Sequence, residues 1–305
     1  MKQYTQGETI VPSFIDEVKQ FASDFKKLVK MRLTLTVVFS ASVAFLIGSR
    51  MQGEIIWVNW LVLTIGGFLV TSSANGFNEI IERDLDKLMT RTEDRPLPSG
   101  RMTSGQALVL SLLMGIIGTY ILVGLNFLTG VLSVFSILLY AFLYTPLKRK
   151  SPIAVFVGAF PGALPPLIGY FAAFHQPSIT IVPLVLFAIQ FVWQFPHFWS
   201  IAWVLDEDYR KAGFRLLPTT KRDKVSAFMV LITTLIMIPV SLLPWILGFG
   251  GYYVATFSLA GALLFSWYGL QLFLKRDVAS ARKVMFTSFI YLPLMQLILL
   301  FNLLV

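Results

Sequence analysis

The chain has 305 residues, of which 56% are hydrophobic and 13% charged; ordinary soluble domains carry about 25% charged residues. It has no cysteine, which excludes disulfides, thiolate nucleophiles, Fe–S clusters and Cys-ligated zinc. Its net charge of +9 does not point to nucleic acid, because the charge lies in loops beside apolar runs, where anionic lipid headgroups are the nearer partner.

The N-terminal segment, residues 1–32, lacks a secretory h-region, so no cleaved signal is expected. Its first 20 residues are expected to be loosely ordered. Phe21 to Arg32 is amphipathic and is expected to lie on the inner leaflet. Nine apolar runs follow, at about 33–49, 56–78, 105–124, 127–144, 153–174, 179–204, 225–248, 252–274 and 284–304. Each is long enough to cross the hydrocarbon core as a helix. They are apolar on every face, whereas a membrane β-barrel needs short segments of alternating polarity. The expected fold is therefore all-α, a polytopic membrane protein of nine transmembrane helices. Residues 1–32 form its cytoplasmic N-terminal segment and residues 33–305 the membrane domain.

Charge sets the orientation. All Lys and Arg residues except Arg50 fall in the N-terminal segment and in the loops after the second, fourth, sixth and eighth runs. Basic loops stay inside, so the N-terminus is expected in the cytoplasm and the C-terminal Val305 outside, in the cell inner (plasma) membrane. The two longest inner loops look like copies. Arg95-Pro-Leu-Pro-Ser-Gly-Arg101 aligns with Arg215-Leu-Leu-Pro-Thr-Thr-Lys221 at an offset that also places Asp86 on Asp206 and Arg91 on Lys211. An internal repeat of about four helices, with the ninth added, is the expectation.

The chemistry gathers at these loops. Asn78, Glu82 and Asp86 end the second run at i, i+4 and i+8, within ~80° of arc on a helix. Two carboxylates and an amide are hard oxygen ligands of the kind Mg²⁺ takes together with water and phosphate. Asp206 and Asp208, followed by Tyr209, occupy the equivalent place in the second repeat. Arg91, Arg95, Lys148, Arg149 and Lys211 supply cations that can neutralise phosphate oxygens. The alternative for each group is a solvated loop or a topological anchor. An acid–Mg²⁺–diphosphate site at the mouth of an apolar bundle suits an isoprenyl diphosphate. Ionising an allylic diphosphate leaves a carbocation, which aromatic faces stabilise; Phe77, Tyr144, Phe195, Trp199 and Tyr209 are candidates.

The remaining marks are polar or helix-breaking residues within the runs. Pro161, Pro165 and Pro166 are expected to break the fifth run, and Pro196 the sixth. His197 is the only histidine within the apolar runs and a functional candidate for that reason; a hydrogen-bonded structural histidine is the alternative. His175 reads as a turn residue.

Asn78-x-x-x-Glu82-x-x-x-Asp86 with residues 91–100, and Tyr144-Thr-Pro-Leu-Lys148-Arg149, resemble the acidic and basic motifs of the UbiA intramembrane prenyltransferases. Residues 158–170 and Gln194-Phe-Pro-His197-Phe-Trp199 resemble the haem-farnesylating branch of that superfamily, the protoheme IX farnesyltransferases. The resemblance spans about residues 30–300. It implies a UbiA-like bundle that takes farnesyl diphosphate and haem B, with Mg²⁺ at Glu82, Asp86, Asp206 and Asp208. It further implies that farnesyl and water add to a haem vinyl group, giving haem O, and that a haem-modifying or oxidase-assembly partner follows. His197 would ligate haem iron, hold a propionate or act on the vinyl group. Two departures stand out: Glu82 replaces the usual Asp, keeping the charge, and Asp206 and Asp208 are two rather than four apart. Prenylation of a quinone precursor or chlorophyllide, or a secondary transporter, are the competing readings. A transporter would carry its polar residues near the midplane, whereas here they crowd one end.

Overall fold

The computed structural model describes residues 13–304. The helix α1 (Phe14–Leu28) starts at a capping box, in which Ser13 and Asp16 satisfy each other's backbone amides. Ordered chain therefore begins earlier than the sequence suggested. The amphipathic helix covers 14–28 rather than 21–32, because Met31 and Arg32 already belong to α2. Residues 1–12 and Val305 lie outside the description.

Nine helices among the described residues are long and apolar enough to span a membrane. They are α2 (Met31–Gln52), α3 (Trp57–Asp86), α4 (Ser104–Val123), the run Phe127–Leu147, α7 (Ala154–Ala172), α8 (Ile181–Val204), α10 (Lys224–Ile246), α11 (Tyr252–Lys275) and α12 (Val278–Phe301). The run Phe127–Leu147 consists of α5 (Phe127–Ile137), a π-helical stretch Leu138–Tyr144 and α6 (Thr145–Leu147). A short helix, α9 (Asp206–Lys211), follows α8.

The repeat appears in the packing. In the first half α2 packs on α3, α3 on α4 and α4 on α5; in the second, α7 packs on α8, α8 on α10 and α10 on α11. The ninth span, α12, fills the seam between α8 and α2. Close approach is built in where the halves meet. A Cβ on Gly169 of α7 would stand 2.0 Å from the Ala41 carbonyl oxygen of α2, so only glycine allows this crossing.

The prolines do not break their helices. Helix α7 runs unbroken through Pro161, Pro165 and Pro166, and α8 through Pro196. Pro166 has no N–H for the Gly162 carbonyl one turn back. Gln190 of α8 supplies the missing donor, Nε2 to Gly162 O at 2.7 Å. Its Oε1 accepts from Ser40 of α2 (2.7 Å) and Gln296 of α12 (3.0 Å). A neutral polar brace thus ties four helices at a point where the sequence suggested a broken helix.

At 1.5 Å per residue the 30-residue α3 is about 45 Å long, against a hydrocarbon core of ~30 Å. Its last turns, with Asn78, Glu82 and Asp86, therefore rise to the basic end of the bundle. Arg50, the one cation at the opposite end, donates to the Leu300 carbonyl in the last turn of α12.

Candidate active site

Asn78, Glu82 and Asp86 face inward from the last turns of α3, and all three are buried. Asn78 Nδ2 donates to Glu82 Oε2 at 3.0 Å and to Thr145 Oγ1 at 2.9 Å. Its Oδ1 accepts from Lys30 Nζ. Lys148 Nζ contacts Glu82 Oε1, and Arg95 Nη1 donates to Asp86 Oδ2 at 2.6 Å. Asp86 Oδ1 is buried with no hydrogen-bond partner.

Local backbone aims these groups. Pro146 has no N–H for the Phe142 carbonyl, and the chain answers with the π-helical stretch before it. Thr145 closes that stretch by donating both its amide and its hydroxyl to the Tyr140 carbonyl, at 2.8 Å for the hydroxyl. The added residue turns Thr145 and Lys148 onto α3. Lys148 Nζ then lies 5.1 Å from the ring centres of both Tyr144 and Phe214. The amide of Arg215 donates to the Lys148 carbonyl at 2.8 Å, which docks the second repeat's loop here. Lys30 holds a left-handed backbone, φ 48°, at the α1–α2 junction, a strained conformation for a side-chain-bearing residue. Burial pushes its amine down to about 7, with Arg95 and Lys148 acting the same way and Glu82 and Glu79 opposing.

The other sequence candidates divide into groups. Arg91 donates to the Tyr209 hydroxyl at 3.4 Å and its guanidinium lies 5.1 Å from that ring's centre. Burial pushes the Tyr209 hydroxyl's pKa up. Lys211 pairs with Asp208 at 3.1 Å and reaches Thr90 Oγ1 at 3.4 Å. Lys211, beside Asp208, holds that carboxyl below the usual carboxylate range. The two repeat loops thus clasp each other through positions that correspond in the repeat. Asp206 pairs instead with Arg210 at 2.9 Å and Arg222 at 3.5 Å. Arg149 is exposed. It lines a cavity of about 440 Å³ with Glu82, Thr145 and Lys150.

The four acids expected at metal are therefore not one cluster. Among the described residues no three His, Asp or Glu side chains stand together as a ready metal cage. The reason is electrostatic: in this arrangement each acid is neutralised by a cation. Glu82 and Asp86 still fit a hard metal ion, which takes one or two carboxylates and completes its shell with water and phosphate. The unpartnered Asp86 Oδ1 is an open oxygen for it.

His197 lies away from the acids, between α8 and α12. Its ring stacks on Trp193 at 4.3 Å, and its Nδ1 is 2.7 Å from Ser288 Oγ. That hydroxyl already donates its single proton to the Met285 carbonyl at 2.5 Å. It must accept from His197, so Nδ1 carries the proton and Nε2 the lone pair. Of the aromatic candidates, Tyr144 and Tyr209 stand at the cluster. Phe77 packs on Phe142 at 5.4 Å, and Phe195 on Trp199 at 5.4 Å.

Sequence reasoning missed Lys30, Glu79, Thr145 and Phe214. Lys30 had a signal, as the last lysine before the first span. Glu79 had a signal too, since helical spacing places it only ~20° past Asp86, at the edge of the Asn78–Glu82–Asp86 stripe.

The chain is similar to known proteins over most of its length. The model of the UbiA prenyltransferase family matches residues 37–291. The chain is 48% identical over 280 residues to a protoheme IX farnesyltransferase of Cytophaga hutchinsonii, covering 91% of this chain and 96% of that one. It is 40% identical to the protoheme IX farnesyltransferase of Flavobacterium johnsoniae, covering 92% and 94%. Among solved structures, a digeranylgeranylglyceryl phosphate synthase superposes with a TM-score of 0.77 at 20% identity, over 93% of this chain and 98% of that one. A UbiA homologue from Archaeoglobus fulgidus bound to GPP and Mg²⁺ superposes with a TM-score of 0.65 at 12% identity, over 91% and 99%. With an acidic cluster at the end of α3, two packed repeats and a family match over most of its length, the chain belongs to the UbiA prenyltransferase family.

Proposed function

We propose that this protein transfers the farnesyl group of farnesyl diphosphate to a vinyl group of haem B, with addition of water, giving haem O and diphosphate. The carrying observation is the cluster of half-buried Lys30 and Arg95 and buried Lys148 against the buried Glu82 and Asp86, at the mouth of an apolar bundle. The relatives' activity and the motif around His197 support haem as the acceptor.

Glu82 and Asp86 would hold Mg²⁺, with Asp206 and Asp208 of the second repeat as the second acid pair. When bound, the ion supplies positive charge that stabilises the leaving diphosphate. Lys30, Arg95 and Lys148 bind its remaining oxygens, with Arg91, Arg149 and Lys211 at the rim. The faces of Tyr144 and Tyr209 stabilise the farnesyl cation as the C–O bond breaks. The vinyl terminus attacks that cation, which moves the positive charge to the carbon next to the macrocycle. Water adds there and releases a proton. His197, with its Nε2 lone pair, holds the haem. The basic end, with α1, faces the cytoplasm.

The test is direct. Membranes containing the protein are incubated with haem B, farnesyl diphosphate and Mg²⁺, and the haems are analysed by mass spectrometry. A haem heavier by one farnesyl group and one hydroxyl group is expected. Unmodified haem B alone would refute the proposal.

A further inference from the structure

Asp24, Lys27, Asp94 and Arg101 take no part in the reaction above, yet they form one connected network. Arg101, in the loop before α4, donates from Nε to both oxygens of the buried Asp24 of α1, at 2.9 and 3.2 Å. Gln20 Nε2 adds a bond to Asp24 Oδ2 at 2.9 Å. The other arms of the Arg101 fork reach Asp94, Nη1 to Oδ1 at 2.9 Å and Nη2 to the main-chain oxygen at 2.7 Å. Lys27 of α1 donates to the same main-chain oxygen at 3.2 Å and to Oδ2 at 2.5 Å. That oxygen belongs to the peptide bond between Asp94 and Arg95. The network therefore grips the backbone at the residue that meets Asp86. The loop beyond is cross-braced as well. The amide and hydroxyl of Ser99 donate to the Arg95 carbonyl, and the Met102 amide donates to the Pro96 carbonyl at 3.0 Å. Leu97 and Met102 pack in one buried cluster with Leu28 of α1.

The end of α1 also delivers Lys30, whose amide donates to the Lys27 carbonyl at 3.0 Å. Arg95 and Lys30 thus reach the acidic cluster on two separate elements, the loop and the α1–α2 junction. Arg101 joins those elements with a planar fork, whose donors are fixed relative to one another as those of a lysine are not. We propose that Arg101 is a positioning residue that sets Arg95 against Lys30 by tying the Asp94–Arg95 peptide to Asp24 of α1. Two cations aimed at one diphosphate lose much of their effect when their spacing drifts. Arg101 touches neither metal nor diphosphate in this role, and no covalent bond changes. The inference rests on the metal–diphosphate reading of this site.

The experiment uses the purified full-length protein in lipid nanodiscs, titrated calorimetrically with inorganic diphosphate in the presence of Mg²⁺. Thermal unfolding is followed on the same samples. Arg101→Gln and Asp24→Asn are each expected to weaken diphosphate binding about tenfold, as loss of a supporting partner does. The two substitutions change the charge in opposite directions. An effect of charge alone would therefore weaken binding in Arg101→Gln and tighten it in Asp24→Asn. A purely structural role would lower the unfolding midpoint and leave the affinity of the folded protein at the wild-type value. Either of those results overturns the inference. In an Arg95→Gln background, adding Asp24→Asn should cost almost nothing further, because no spacing is left to set; additive losses overturn the inference. Should Arg101→Gln not fold, Arg101→Lys keeps the charge and gives up the fork. A smaller loss is then expected, and a wild-type affinity overturns the inference. If the unaltered protein does not bind inorganic diphosphate, the metal–diphosphate reading itself falls, and the inference with it.

Discussion

Glu82 holds the buried Lys148 and Asp86 the half-buried Arg95, so replacing either acid with its neutral isostere removes charge without removing bulk. Glu82→Gln and Asp86→Asn are each expected to lower turnover at least about a hundredfold. The protein should remain monodisperse after detergent extraction. Near-normal farnesylated haem from both variants would reduce the acids to a solvated loop end. His197 separates the two substrates. His197→Ala is expected to weaken haem binding about tenfold, as loss of a ligand-orienting group does. Farnesyl diphosphate binding should be unchanged, because Lys30, Arg95 and Lys148 lie elsewhere. Separate titrations of the two substrates decide it, and equal losses would make the histidine structural. Lys30 predicts a pH effect. Its amine is held near neutrality by burial and by Arg95 and Lys148. Without Mg²⁺, affinity for inorganic diphosphate should fall as pH rises through about 7 and Lys30 loses its proton. Lys30→Arg should abolish that fall, since the guanidinium stays charged. A fall of the same size in the variant would assign the titration to another group.

At the scale of elements, α7 runs through Pro166 with a neighbouring helix supplying the donor that the proline lacks. Gln190 has a donor for the Gly162 carbonyl and an acceptor for Ser40 and Gln296. Gln190→Leu keeps much of the volume and strands these groups inside the bundle. A destabilisation of about 1–2 kcal/mol is expected. A lower midpoint of thermal unfolding in detergent would report it, and an unchanged midpoint would show that the brace contributes nothing. The π-helical stretch before Pro146 works the same way at the site. The bond that proline cannot make is replaced by a wider turn, and that turn delivers Thr145 and Lys148 to α3.

For the whole molecule, the odd number of candidate spans leads us to propose that the two chain ends lie on opposite sides of the bilayer. A reporter active only in the cytoplasm is expected to be silent when fused after Val305 and active when fused at the N-terminus. A strong signal from the C-terminal fusion would overturn the orientation. The number of spans, the gathering of charge at one end and the repeat were all legible in the sequence. Hydropathy over 20 residues, the sign of loop charges and a fixed offset between similar loops are local properties of the chain. The stripe of Asn78, Glu82 and Asp86 was legible for the same reason, since helical spacing alone puts them on one face. Tertiary structure decided the rest. Which cation meets which acid depends on how loops return over the bundle, so Arg95 reached Asp86 while Asp206 went to Arg210 and Arg222. Lys30 entered the site through a left-handed turn that no periodicity signals. Glu79 became notable only once burial stripped water from a carboxylate that no neighbour had bonded. The unbroken helix at Pro166 likewise needed a partner from another helix, because a proline's cost depends on what can reach the carbonyl it frees.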